Sequence, residues 1–75
     1  MTQTPSQRVT ANVRAEMARA GAKHSEVAAA VGLKLPAFRR RLYGEVKFGI
    51  DEVGAIAAYL GVPLSALMLE QQVAS

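Results

Sequence analysis

Four glycines, Gly21, Gly32, Gly44 and Gly61, divide this chain into segments that suit short helices and little else. Each of them closes a stretch of helical periodicity, the place where a residue at positive φ ends a helix. Ahead of Gly21, Val9, Val13 and Met17 recur every four residues and line one face of a helix expected over Gln7–Ala20, with Ser6 as its N-cap. A second helix, His24–Val31, buries Val27, Ala28 and Val31 and stops at Gly32. A third, Leu35–Tyr43, carries Pro36 in its first turn, where a missing N–H costs no helical hydrogen bond. Glu45–Gly49 reads as a loop. A fourth helix, Ile50–Leu60, opens on Asp51 and Glu52, which the helix dipole favours, and turns Val53, Ile56, Ala57 and Leu60 inward. Val62-Pro63 then restarts the chain into a last helix, Leu64–Leu69. No strand-like alternation occurs. The expectation is an all-α, five-helix fold in one domain over residues 1–75, with a loose arm at 1–5 and a tail at 70–75.

Such a small chain must find its stability in apolar packing. With 75 residues, no cysteine and one histidine, it has neither disulfides nor thiolate zinc ligands nor a histidine cluster to staple it. Hydrophobic residues make up 51% of the sequence, enough for an ordinary core. No apolar run approaches the roughly 18 residues of a membrane span. The chain reads as a soluble, cytoplasmic domain with no membrane partner.

Charge is distributed unevenly. All nine Lys and Arg fall within residues 1–47, with three acids, a net of +6. Residues 48–75 hold three acids and no Lys or Arg, a net of −3. This polarity suggests that one half faces a polyanion and the other faces protein.

The stretch from His24 to Gly44 has the features of two helices crossing steeply at a very short turn. Ala28 is small where the helices approach, Gly32 takes the turn, and Val27, Val31, Leu33 and Phe38 supply the seam. This spacing resembles the helix-turn-helix of the lambda repressor/Cro-like, or XRE-type, DNA-binding family. Ala37-Phe38-Arg39-Arg40-Arg41-Leu42-Tyr43-Gly44 looks like that family's recognition helix and closing glycine. Ile50-Asp51-Glu52-Val53 through Leu60-Gly61-Val62-Pro63-Leu64 looks like its fourth helix and the turn into the fifth. The likeness covers residues 7–69. Lys23-His24, Lys34 and Leu35 depart from the Gln or Thr-Gln, polar cap and Gln or Ser that the family usually has there.

The resemblance implies a lambda repressor-like DNA-binding domain, with helices two and three as the helix-turn-helix and helix three in the major groove of double-stranded DNA. On a wheel of about 100° per residue, Phe38 and Leu42 mark the buried side of helix three and Arg40 points most nearly away from it. Arg39 and Arg40 are therefore the expected base readers, an arginine fork being able to take guanine O6 and N7 together. Arg41 stands where the family is often apolar, so that its stem packs while its head reaches phosphate or solvent. Leu35 has two open readings, contact with a thymine methyl or closure of the seam with helix two, and Pro36 offers only shape. His24, Lys34, Tyr43 and Lys47 are expected near backbone phosphates, Lys34 also within reach of a base edge. Arg8 and Arg14 either flank the backbone or are solvated.

No Ser–His–Asp set, Gly-rich phosphate loop or metalloprotease motif is present, and Asp51 and Glu52 diverge by about 100° rather than converge. The expectation is a non-enzymatic, cofactor-free transcriptional repressor that obstructs an operator, Cro-like or a minimal immunity repressor, in a bacterial cell or phage-infected host. The alternatives are an antitoxin-type protein-interaction module and a phage excision or architectural DNA-binding factor. A homodimer, formed in solution or only on DNA, is expected to use Leu64, Leu67 and Met68.

Overall fold

Residues 3–69 are described by a computed structural model, and among them every regular element is a helix. In chain order these are α1 (Pro5–Ala20), α2 (His24–Val31), α3 (Leu35–Leu42), α4 (Ile50–Leu60) and α5 (Leu64–Met68). The all-α, five-helix expectation is met. The expected tail at 70–75, like Met1 and Thr2 of the expected arm, lies outside the described residues.

One apolar cluster joins all five helices. Val9, Val13 and Met17 of α1 meet Val27 and Ala28 of α2, Phe38 and Leu42 of α3, Val53, Ile56 and Ala57 of α4, and Leu67 of α5. Leu33, Leu35, Phe48, Leu60 and Val62 close its edges. The four-residue repeat on α1 therefore does face inward, because residues four apart stack on one side of a helix. Asn12 is a buried polar exception. Its Nδ2 donates to the Leu67 carbonyl at 3.0 Å and the Leu69 carbonyl at 2.6 Å, satisfying carbonyls that a helix end leaves without intrahelical partners. The last helix is thus tied to the first by packing and by hydrogen bonds together.

Glycine closes α1, α2 and α4 where the sequence places it, at Gly21, Gly32 and Gly61. At the α2–α3 turn Gly32 has φ +79°, and the Leu33 N–H donates back to the Ala28 carbonyl at 2.9 Å. This left-handed residue lets a three-residue turn, 32–34, redirect the chain and start α3 at once.

Three boundaries differ from the sequence expectation. α1 starts at Pro5, and its N-cap is Thr4 rather than Ser6. Thr4 Oγ1 accepts from the Gln7 N–H at 3.1 Å while Gln7 Oε1 accepts from the Thr4 N–H at 2.9 Å, a reciprocal capping box. Pro5 thus belongs to the helix, not to the arm. α3 ends at Leu42, with Tyr43 as its C-cap, and α5 ends at Met68. Leu67 is not available for pairing: it is fully buried, since α5 is seated on α1 and α4 and places this residue against them.

Candidate nucleic-acid interface

α3 is strongly two-sided. Phe38 and Leu42 are wholly buried, one turn apart, and they hold the helix against the core. Arg40 lies on the opposite flank, as the wheel requires, and Arg39 lies between it and the buried side; both are exposed. Neither makes an ion pair among the described residues. Lys34 is the exposed N-cap of α3, in extended conformation, and Pro36 follows in the exposed first turn. Tyr43 (61% exposed) and Lys47 stand in water beyond the other end. Lys34, Pro36, Arg39, Arg40, Tyr43 and Lys47 are therefore all exposed on α3 or the segments that flank it.

Three other residues singled out in the sequence sit differently. Leu35 is half-buried and packed on the core, so the structure places it in the seam. His24, in the first turn of α2, is half-buried, and its ring meets the rings of Phe38 and Tyr43 edge-on, both at 6.3 Å between centroids. It links the start of α2 to the body and the end of α3. Arg41 is also half-buried. Its Nε donates to Glu52 Oε1 at 3.0 Å and its Nη1 to the Ala37 carbonyl at 3.2 Å. The guanidinium is thereby folded back onto its own helix and onto the start of α4, instead of extending outward with its two neighbours.

Glu52 is the residue that sequence reasoning undervalued. The helix dipole alone is reason enough for an acid in the first turn of α4. In the structure the same Oε1 also accepts from the Gly49 N–H at 2.8 Å, so one carboxylate joins Arg41 of α3 to the last residue of the 43–49 loop. A second unforeseen contact is made by Arg14. Its Nη1 donates to the Leu42 carbonyl at 2.6 Å and sets a cation at the negative end of α3. An arginine at a position where apolar residues are common, with a carboxylate at the start of the next helix, was the available signal for the first pair. Nothing local signals the second, whose partners are 28 residues apart.

Chemically, this surface is rich in donors. From Lys34 to Lys47 the chain carries five cations and one acid, Glu45. Guanidinium forks and ammonium groups bind acceptors such as phosphate oxygens and base edges. Among the described residues no group of three or more His, Cys, Asp or Glu is placed to hold a metal ion, and no helix is long and apolar enough to cross a membrane.

The model of the BetR domain family matches residues 5–75, nearly the whole chain, and the chain belongs to that family. No curated protein and no solved structure matches it.

Proposed function

We propose that this BetR-domain chain binds double-stranded DNA sequence-specifically and acts as a transcriptional repressor in the bacterial cytoplasm. In this reading α3 enters the major groove and α2 lies across the backbone. The supporting observation is the division of α3 itself: two buried apolar anchors fix its roll, and that roll turns Arg39 and Arg40 into water with no acid paired to them among the described residues. A helix held this way can present a guanidinium fork at a constant angle, as base reading demands.

The roles then follow from position. Arg40 reads a base edge, and Arg39 reads a base or holds a phosphate. Lys34, Tyr43 and Lys47 hold phosphates at the two ends of α3, and His24 steers α2 to the backbone through its partly exposed ring. Pro36 fits by shape. Arg41 acts at one remove, holding α3 to the start of α4 through Glu52. Repression would come from occupying an operator that polymerase or a competing regulator needs.

One recognition helix reads few base pairs, so two copies are expected on one operator. Leu64, Met68 and Leu69 are each more than 40% exposed and lie in the part of the chain without Lys or Arg, where close approach of a second copy meets no cationic repulsion. The test is retention of genomic fragments from the source organism on the purified protein, followed by sequencing. One motif with a repeated half-site should be enriched. Uniform recovery of all sequences, or none, would overturn the reading.

A further inference from the structure

Just past the C-terminal end of α3, against α1, lies an open groove of about 600 Å³. Gln3, Thr4 and Gln7 line it from the start of α1, Tyr43 and Lys47 from the loop after α3, and Arg14 from the third turn of α1. None of the described residues lining it is Asp or Glu. We propose that this groove seats one backbone phosphate diester of the bound DNA, beyond the base pairs that α3 reads. The proposal rests on the DNA-binding reading and adds α1 to the interface.

Three observations support it. First, among the described residues the groove is lined by two cations, Arg14 and Lys47, and by no acid, so its field favours an anion. Arg14 is also pre-positioned, because one guanidinium nitrogen is already held on the Leu42 carbonyl. Of five guanidinium N–H donors, most remain for a second acceptor. Second, the α1 end of the groove is neutral in side chains but not in backbone. α1 runs for 16 residues and has no acid in its first turn, so the positive end of its dipole is uncompensated there. The capping box uses Oε1 of Gln7, which leaves the Gln7 side-chain NH₂ as a donor. Third, the groove is continuous with the surface already assigned to DNA, since Tyr43 and Lys47 belong to both. A phosphate leaving the end of α3 along the strand meets this groove next. A free phosphorylated small molecule would offer the same group, and the experiment separates the two sources.

Gln7→Glu is the decisive variant. Glutamate at this position preserves the capping box and adds a favourable charge to the first turn of α1, so the melting temperature should hold or rise. The same charge sits in the groove and should repel a phosphate. At moderate salt, affinity for the retained DNA should fall on the order of tenfold, and the slope of log K against log salt should flatten by about 0.9, one phosphate's worth. The preference for one sequence over another should not move. DNA with a single neutral methylphosphonate, walked along the flanking backbone, should weaken the wild type at one position and leave Q7E unaffected there. If Q7E binds with the wild-type affinity and slope while Lys47→Ala still weakens binding, the groove lies off the DNA and the phosphate seat is overturned, with the DNA-binding reading intact. If no duplex binds at all, while inorganic phosphate shifts the NMR signals of Gln7 and Arg14 in the wild type and not in Q7E, the groove takes a free phosphate compound. That outcome overturns both the diester assignment and the DNA-binding reading.

Discussion

α3 and α5 solve the same packing problem and spend their remaining surface in opposite ways. Both are short, and both are anchored by side chains with no exposure, Phe38 and Leu42 in one and Leu67 in the other. Outside the anchors, α3 puts Arg39 and Arg40 into water, whereas α5 and its exit put Leu64, Met68 and Leu69 there. A solvated arginine costs the free protein almost nothing. Exposed apolar surface forgoes about 25 cal/mol for every Å² left uncovered, and a patch of it marks a contact surface. The contrast supports the division of labour proposed above, a polyanion on α3 and a second copy on α5.

The largest effect that tests this comparison is on stability. If the two helices are equal members of one core, Leu67→Ala should destabilise by about 2–5 kcal/mol and Phe38→Ala by about 3–5 kcal/mol, measured by urea denaturation. A loss under about 1 kcal/mol for Leu67→Ala would mean that α5 is a dispensable appendage, and the comparison would fail.

Next comes the face of α3. Arg40→Ala should narrow the gap between preferred and random DNA by about 1–3 kcal/mol, while Lys47→Ala should weaken all sequences about equally. Competition titrations with both DNAs give the two numbers. An unchanged gap in both variants would remove Arg40 as base reader. On the α5 side, the double change Leu64→Ser and Met68→Ser should leave folding within about 1 kcal/mol of wild type and convert a two-copy operator complex into a one-copy complex in sedimentation. Persistence of two copies would place the pairing surface elsewhere.

The smallest effect distinguishes the two caps considered for α1. Thr4→Ala should cost about 1 kcal/mol and Ser6→Ala no more than about 0.5 kcal/mol in the same urea experiment. Equal losses would contradict the capping box.

What could be read from the sequence depended on range. Helix C-termini were legible because their signal is local: Gly21, Gly32 and Gly61 take the positive φ that ends a helix within one residue. The start of α1 is less legible, because Pro5 adjoins polar residues that look like an arm and Ser6 offers a second cap, although Thr4-Pro5-Ser6-Gln7 contains the capping box in full. The roll of α3 was legible from Phe38 and Leu42, since a helical period fixes every other residue once two buried ones are known. The direction of Arg41 was not, because Glu52 reaches it across a loop whose path the sequence leaves open. The burial of Leu67 is hidden for the same reason. An apolar residue on a terminal helix looks alike whether it seals its own core or awaits another chain, and only the seat of α5 on α1 and α4 decides.

In the proposed function the cationic face around α3 holds the phosphate backbone of DNA. The most direct measurement is the affinity for a retained fragment across a series of salt concentrations. With four to six phosphates neutralised per subunit, log K should fall against log salt with a slope of roughly −4 to −5 per subunit. A slope near zero would contradict it, because binding that releases no counterions does not run through Arg39, Arg40 and Lys47.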